Sequence, residues 1–274
     1  MSVRIFSGGQ RIESIPADDR GLAYGDGIFE TMRAHGGELP WWDAHWQRLA
    51  HGAQRLGFPA PRQALVREQA QAMLEGGDGV LKLLVTRGSG ARGYAPGVAT
   101  PPTWVLSLHS LPPAPAQGLC LRWCQTRLSL QPALAGLKHC NRLEQVLARA
   151  EWNGSTGNPD PADEGLMRST EGDVVCATAA NLFVLQEGRW TTPPVDRCGV
   201  AGVCRGWLLA HADVREKRLS VTDVETAQAV FLCNAVRGIL PVARLGAART
   251  WPAHPLVAEL QARLADAHPG FGRH

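Results

Sequence analysis

Lysine is nearly absent from this chain. Only Lys82, Lys138 and Lys217 occur among the 28 basic residues, so arginine supplies almost all of the positive charge. Arginine stays protonated in proteins, whereas a lysine amine can lose its proton, attack a carbonyl carbon and hold a cofactor as a Schiff base. Lys82 lies in a predicted strand, and Lys217 lies in a charged surface segment. Lys138 ends a loop and precedes a helical pattern, where the spacing suits a functional amine and an ordinary surface residue equally well.

Long apolar runs, clustered basic residues and paired cysteines are also absent. No apolar run approaches the roughly 20 residues of a membrane-spanning helix, so no membrane segment is expected. The net charge is only +3 and the basic residues are scattered, which argues against a nucleic-acid partner. The seven cysteines form no Cys-x-x-Cys pair, so neither a metal site nor a disulfide framework is expected. Because the N-terminus also lacks a signal-peptide core, the sequence predicts a soluble cytoplasmic protein.

The periodicity of apolar residues predicts an α+β protein with two domains. Short strands bounded by turn signals recur through both halves of the chain, with amphipathic helices between them. The proline-rich segment 111–117 is the best candidate for a linker. It separates a small N-terminal α+β domain, residues 1–110, from a larger strand-rich domain, residues 118–274, which contains Lys138.

Two helices are predicted in detail. Asp43 is the expected N-cap of a helix that ends before Gly57, since aspartate readily accepts hydrogen bonds from a first helical turn. A second helix is expected from Asn141 to Trp152. Its apolar residues recur at helical spacing, so these residues are predicted to face inward: Leu143, Val146, Leu147 and Ala150.

A glycine-rich segment at 88–93 matches G-x-G-x-x-G after a predicted strand. A dinucleotide site is nevertheless rejected, because prolines including 101–102 prevent the helix that this motif must open. The remaining interpretation is a loop that carries Arg87, Arg92 and Tyr94 toward an anionic substrate, since arginine binds carboxylates through two parallel hydrogen bonds. A plain surface loop is the alternative.

Two backbone segments could hold a phosphate group. Glycines precede a predicted helix that starts near Val203, and a helix N-terminus is a ready anion site. This signal is weak, because many helices begin after glycine. The turn at Asn234 and Ala235 offers further backbone donors at the end of a strand. Arg48 could reach a phosphate, although a surface ion pair is the commoner role for such a residue.

Six segments in chain order resemble the class IV aminotransferase superfamily, whose members are pyridoxal-phosphate enzymes of fold type IV. The segments are DRGLAYGDGIFETMR at 19–33, RGSGARGY at 87–94, AGLKHCNRLEQVLAR at 135–149, TAANLF at 178–183, TPP…CGVAGVCR at 192–205 and FLCNAVRGILPV at 231–242. They span nearly the whole chain. The second and third of them resemble the aminodeoxychorismate lyases more than the aminotransferases.

The resemblance implies a set of site residues. Lys138 would be the Schiff-base anchor of pyridoxal phosphate, and Arg92 with its loop would face the substrate carboxylates. The other cofactor-binding residues implied are Arg48, Cys176, Asn181, Val203, Cys204, Asn234 and Ala235. The resemblance also implies a homodimer, with the active site between the two domains and close to the subunit interface.

One position departs from the family pattern. A glutamate that pairs with the pyridine nitrogen of the cofactor usually lies five residues before the asparagine of A-N-L-F, which here is Asn181. This chain has Cys176 there instead. A thiol cannot hold a pyridinium proton as a carboxylate does, so the cofactor ring should withdraw electrons less strongly. The departure mildly favours a lyase, because expulsion of a leaving group with aromatisation needs that withdrawal less than amino transfer does.

The function expected from the resemblance is cleavage of 4-amino-4-deoxychorismate, with Lys138 as both Schiff-base anchor and general base. Two alternatives stay open. One is a branched-chain or D-amino-acid aminotransferase on the same fold. The other is a non-catalytic paralogue that binds pyridoxal phosphate, which the cysteine at position 176 makes conceivable.

Overall fold

Two units, each built around its own sheet, make up the computed structural model. One unit contains Met1–Pro112 with Leu137–Asn141, and the other contains Pro113–Gly136 with Arg142–His274. The structure describes residues 2–97, 100–113, 118–152, 162–247 and 249–272. The segment with Lys138 therefore groups with the first unit, whereas the sequence placed it in the second domain. Residues 114–117 of the predicted linker lie outside the described residues, and the domain boundaries stay a prediction.

The first unit is an antiparallel sheet covered by two helices. Its elements are β1 (Ser2–Ser7), β2 (Gln10–Ile12), α1 (Arg20–Tyr24), β3 (Gly27–Ala34), α2 (Trp42–Leu56), α3 (Gln63–Leu74), β4 (Gly79–Thr86) and β5 (Thr103–His109). The strand order is β2-β1-β5-β4-β3, so β3 is an edge strand. Alternate residues of β3 are buried, including Ile28, Glu30 and Met32, as the period of two in a strand requires.

Helix α2 begins two residues earlier than a cap at Asp43 would allow. Trp41 occupies the N-cap position with a φ of 60°, and no side chain caps the helix start. Asp43 lies in the first turn instead, where its carboxylate still interacts favourably with the positive end of the helix dipole. The predicted N-cap was therefore wrong, although the helix and its end at Gly57 are confirmed.

The second unit is a larger mixed sheet with helices around it. Its elements are β6 (Leu119–Leu128), α4 (Leu143–Ala150), β7 (Glu164–Ser169), β8 (Val174–Ala177), β9 (Asn181–Gln186), β10 (Arg189–Thr192), α5 (Val203–His211), β11 (Val214–Glu216), α6 (Val221–Glu225), β12 (Ala229–Asn234), β13 (Gly238–Leu245), β14 (Arg249–Thr250), α7 (Pro255–Ala267) and a final 3-10 turn (Pro269–Phe271). The strand order is β11-β10-β9-β12-β13-β6-β7-β8, and β14 pairs with β13. The strands β9 and β12 are almost wholly buried, which their continuous apolar runs dictate.

The prediction of which face of α4 is buried was wrong. Leu143, Val146 and Leu147 are exposed, with 76% of Leu143 accessible to solvent. The opposite face packs on β6, because Glu144 accepts the backbone N–H of Ser129, and Glu151 just beyond the helix accepts those of Gln125 and Thr126. Ala148 is the buried apolar residue of that face. The carboxylates satisfy backbone N–H groups near the end of β6, and these hydrogen bonds help to hold this face of the helix against the strand.

Neither a membrane-crossing helix nor a metal cluster occurs in the part of the chain that the structure describes. Its helices are all too short or too polar to cross a bilayer. Histidine, cysteine and carboxylate side chains nowhere gather in groups of three that could hold a metal ion, within those same residues.

Candidate active site

Lys138 lies on a short extended segment that pairs with the start of β3. The N–H of Phe29 donates to the carbonyl of Lys138, and the N–H of Cys140 donates to the carbonyl of Gly27, both at 2.9 Å. The Nζ atom of Lys138 lies 4.4 Å from the centroid of the Phe29 ring, in a cation–π arrangement. The backbone pairing and the ring together fix the position of the amine.

A buried carboxylate on β3 holds two basic side chains of α2. Arg48 donates from Nε to Glu30 Oε1 at 2.8 Å and from Nη2 to Glu30 Oε2. The Nδ1 atom of His45 lies 2.6 Å from the same Oε2. Only 2% of Glu30 is exposed. Burial by itself raises the pKa of this carboxyl, but Arg48 and His45 outweigh burial and lower the pKa of Glu30 to about 2. Glu30 is therefore ionised and orients the guanidinium of Arg48.

His45 is held as a neutral ring with a defined tautomer. Burial lowers the pKa of His45, the carboxylate of Glu30 opposes this, and the charges of Arg48 and Lys138 lower it further. Because Glu30 can only accept, the proton of neutral His45 lies on Nδ1 and leaves a lone pair on Nε2. That Nε2 atom is buried and has no hydrogen-bond partner among the residues that the structure describes.

Arg20 holds the glycine-rich loop that follows β4. Its Nη1 and Nη2 atoms donate to the carbonyls of Gly93 and Tyr94, each at 3.0 Å, and its Nε donates to Asp26 at 2.9 Å. The hydroxyl of Tyr24 accepts the N–H of Gly93 at 3.0 Å. Sequence reasoning missed Arg20. It lies in the segment 19–33 that carries the family resemblance, but nothing in the sequence tells which charged residue of that segment reaches the loop.

The three loop residues predicted to bind substrate have different surroundings. Arg87 is engaged by Asp26, with Nε to Oδ2 at 2.7 Å, and by the carbonyls at the end of α2. These bonds give Arg87 a structural role, and its contact with substrate stays a prediction. Arg92 and Tyr94 are exposed, with 86% of Tyr94 accessible to solvent. Both side chains are therefore able to meet a ligand.

In the second unit, Asn181 positions the start of α5. Its Nδ2 atom donates to the carbonyl of Val200 at 2.9 Å. A Cβ atom at Gly202 would lie 2.0 Å from Asn181 Oδ1, so only glycine fits at this N-cap. No side chain caps the helix that begins at Val203. The first-turn N–H groups, including that of Cys204, are consequently oriented as a helix N-terminus that suits an anion.

A pair of buried thiols links this helix to the end of β12. The thiols of Cys204 and Cys233 are hydrogen-bonded, and burial together with this bond raises the pKa of Cys233 well above its ordinary value. Asn234 Oδ1 accepts the N–H groups of Val236 at 3.0 Å and Arg237 at 2.8 Å, which shapes the turn that contains Ala235. The fold thus brings Cys204 close to this turn, as the proposed phosphate site requires. The side chain of Asn234 is used by the turn itself.

Cys176 lies on β8 inside an apolar cluster. Its neighbours there include Cys124 and Met167. Burial is the main cause that raises the pKa of Cys176 to about 12, and nearby Cys198 adds to it. The thiol is therefore neutral at physiological pH, so it supplies no negative charge to a cofactor.

Each unit thus gathers part of the predicted site. The first unit contains Lys138 and Arg48, which lie beside β3. The second unit contains Asn181, the start of α5 and the end of β12. The cofactor and substrate roles of these residues stay predictions.

Comparisons with known proteins identify the family. The sequence model of the amino-transferase class IV family matches residues 27–245. The aminodeoxychorismate lyase of Vibrio harveyi is 34% identical, with 91% of this chain and 95% of that one covered. The crystal structure of 4-amino-4-deoxychorismate lyase from Pseudomonas aeruginosa has a TM-score of 0.87 and 41% identity, with 96% and 99% of the two chains covered.

A third comparison concerns the fold alone. The branched-chain amino acid aminotransferase of Escherichia coli has a TM-score of 0.83 at 18% identity, and the match covers 100% of this chain and 96% of that one. The two-unit α+β architecture predicted from the sequence is thus the fold of these enzymes. With the family model spanning most of its length and a relative at 34% identity, this chain belongs to the class IV aminotransferase family.

Proposed function

We propose that this chain is a lyase that converts 4-amino-4-deoxychorismate into 4-aminobenzoate and pyruvate. The observation that carries the proposal is the similarity to two lyases, at 34% and 41% identity over at least 91% of the chain. The aminotransferase from E. coli, at 18% identity, supports the fold and no particular reaction.

Pyridoxal phosphate is the cofactor of this family, and the side chains of this chain fit it. Lys138 supplies an amine at a fixed position, and Arg48 supplies a cation that Glu30 orients. The start of α5 lacks a side-chain cap, which leaves its N–H groups for a phosphate. The residues proposed to hold the cofactor are Lys138, Arg48, Cys176, Asn181, Val203, Cys204, Asn234 and Ala235. When bound, pyridoxal phosphate supplies an aldehyde that condenses with amines and a ring that withdraws electrons from them.

Lys138 is proposed to hold the cofactor and to act as the base. In the overall reaction the substrate ring loses the proton on C4, and the C3–O bond to the enolpyruvyl group breaks. The Nζ atom of Lys138 would accept the C4 proton, and the released enolpyruvate would take up a proton to become pyruvate. The electron pair of the C4–H bond enters the ring, which becomes aromatic.

The substrate loop would supply specificity. Arg92 and Tyr94 are exposed on a loop whose backbone Arg20 holds by two carbonyls. A guanidinium on such a loop can pair with a carboxylate through two parallel hydrogen bonds. We propose that Arg92 binds a substrate carboxylate in this way.

The test is a coupled assay with purified protein, pyridoxal phosphate and aminodeoxychorismate. We expect equal amounts of 4-aminobenzoate and pyruvate, together with a visible absorbance band from the bound cofactor. The Lys138→Ala variant should lose the band and the activity. Lys82→Ala is the matched control, because Nζ of Lys82 lies 5.3 Å from the same Phe29 ring, and it should keep both. Activity that survives in Lys138→Ala would refute the role of Lys138.

Two other outcomes would replace the proposal. Transfer of an amino group to a 2-oxo acid, without release of pyruvate from the chorismate analogue, would indicate an aminotransferase. Bound cofactor without turnover of either substrate would indicate a non-catalytic paralogue.

We further propose that the chain forms a homodimer in the cytoplasm. The exposed stripe of Leu143, Val146 and Leu147 on α4 supports self-association, since apolar side chains grouped on a helix face favour burial in an interface. All seven cysteines are unpaired thiols, which suits a reducing compartment. Sedimentation at micromolar concentration should give twice the 29.5 kDa mass of the chain, and a monomer would refute the dimer.

A further inference from the structure

His45 presents a buried nitrogen that the proposed mechanism leaves unused. The ring is 1% exposed, its Nδ1 binds Glu30 at 2.6 Å, and its Nε2 has no hydrogen-bond partner within the described residues. Buried polar atoms usually have a partner, because an atom that loses its hydrogen bond to water on burial and gains none in the protein destabilises the fold. Nε2 of His45 is therefore a buried atom that a bound group beside Arg48 would satisfy.

The charges around His45 show which ligand suits it. Glu30 from β3, Arg48 from the same helix and Lys138 from the segment paired with β3 are the charged groups that act on the ring. Arg48 and His45 share the same oxygen of Glu30, so the guanidinium and the imidazole are close neighbours. With His45 neutral, these groups carry one negative and two positive charges. The excess of positive charge favours an anion beside Arg48.

We propose that His45 Nε2 binds the phosphate group of the cofactor beside Arg48, and that one proton, shared between Nε2 and a phosphate oxygen, is taken up when the phosphate dianion binds. The sharing is required by the chemistry of the pair. Neutral His45 offers a lone pair on Nε2 and a phosphate dianion offers only lone pairs, so a hydrogen bond between them needs an added proton. Glu30 stabilises the imidazolium that this proton creates, as a carboxylate does in a catalytic triad.

This inference rests on the phosphate role proposed for Arg48. His45 is a binding residue under it, and the readout is the affinity for a cofactor analogue that cannot react. Pyridoxine 5'-phosphate has no aldehyde, so it cannot condense with Lys138. Pyridoxine is the matched ligand, because it has the same ring without the phosphate.

The first measurement is calorimetry on the wild-type protein freed of cofactor. Each ligand is titrated at pH 8 in two buffers of different ionisation enthalpy, and the difference in heat gives the protons taken up. At this pH the phosphate ester is a dianion, since its second pKa is about 6. We expect pyridoxine 5'-phosphate to take up about one proton more than pyridoxine, as linkage requires. Equal proton uptake for the two ligands would overturn the proposal.

Two variants of His45 separate its two nitrogens. In His45→Asn the amide nitrogen replaces Nδ1, so the bond to Glu30 is kept and the phosphate contact is lost. In His45→Gln the amide nitrogen replaces Nε2 and can donate to a phosphate without any added proton. We expect His45→Asn to weaken binding of pyridoxine 5'-phosphate by roughly tenfold or more, as the loss of a bond to a charged group implies. His45→Gln should keep affinity and lose the proton uptake.

A third variant distinguishes failure of this inference from failure of the phosphate site. Arg48→Met should weaken binding of pyridoxine 5'-phosphate and not that of pyridoxine. If Arg48→Met binds the phosphate ester as tightly as the wild type, the proposed phosphate site is wrong. If Arg48→Met weakens binding and His45→Asn does not, only the role of His45 is refuted. The proton count of the wild-type protein stands whether or not a variant folds.

Discussion

Glu30→Gln should destabilise the first unit by several kilocalories per mole. The substitution keeps the shape of the side chain and removes the charge that binds Arg48 and His45. The pKa of Glu30 falls from an ordinary 4.5 to about 2. Since each pK unit is worth about 1.4 kcal/mol, this lowering of the pKa corresponds to about 3 kcal/mol. Breaking a buried ion pair costs about 3–5 kcal/mol by mutation, which agrees with this magnitude.

The pH of the measurement follows from the sign of these pKa changes. The pKa of Glu30 is lower in the folded protein, so its stabilisation is complete above pH 4.5 and is lost as the pH falls through about 2. The pKa of His45 is also lowered, so below about pH 6.5 protonation of this ring in the unfolded chain opposes folding. A measurement at pH 7.5 therefore isolates the carboxylate.

Hydrogen exchange read by mass spectrometry is the suitable assay, because it reports opening free energies segment by segment in a chain with two units. Peptides from β3 and α2 should lose about 3 kcal/mol of protection in Glu30→Gln. Peptides from β9 in the second unit should be unchanged. The exposed Glu68 on α3 provides the matched control, and Glu68→Gln should leave all peptides unchanged. If protection in β3 and α2 falls by less than about 1 kcal/mol, the buried carboxylate stabilises the protein no more than an exposed ion pair would, and the prediction is refuted.

Three further predictions concern the candidate site. Gly202→Ala at the N-cap of α5 should clash with Asn181 Oδ1, destabilise the protein by about 1–3 kcal/mol and weaken cofactor binding. The control is Gly206→Ala inside α5, where a Cβ atom meets open space, and it should be neutral or stabilising in thermal unfolding. Cys176→Ala should keep kcat within about threefold, because a neutral thiol supplies no charge, and a tenfold loss in steady-state assays would contradict this. Arg20→Lys should raise KM about tenfold with little change in kcat, because a lysine lacks the two guanidinium nitrogens that bind two loop carbonyls. An unchanged KM would show that Arg20 does not position the loop for substrate binding.

Several elements of the fold could be predicted because local sequence specifies them. The strand predicted to contain Lys82 is confirmed as β4, since it is a short apolar run that a glycine-rich segment follows. The buried face of α4 could not be predicted in the same way. Its periodicity alone favoured the leucine face, but the opposite face packs on β6, where Glu144 and Glu151 accept backbone N–H groups near and just after the end of that strand. A partner of that kind lies far along the chain and leaves no local signal.

The features of the candidate site also fall into those that local sequence specifies and those that depend on contacts between distant residues. By itself, the sequence determined which chemical groups are available: a lysine in a chain that has only three, glycines before α5, and a cysteine in place of a carboxylate. Only the tertiary structure decided that Glu30 binds and orients Arg48, that Arg20 holds the glycine-rich loop, and that His45 keeps a buried lone pair. Residue type is carried by the chain itself, whereas the pKa and orientation of a side chain depend on neighbours that folding brings to it from distant positions.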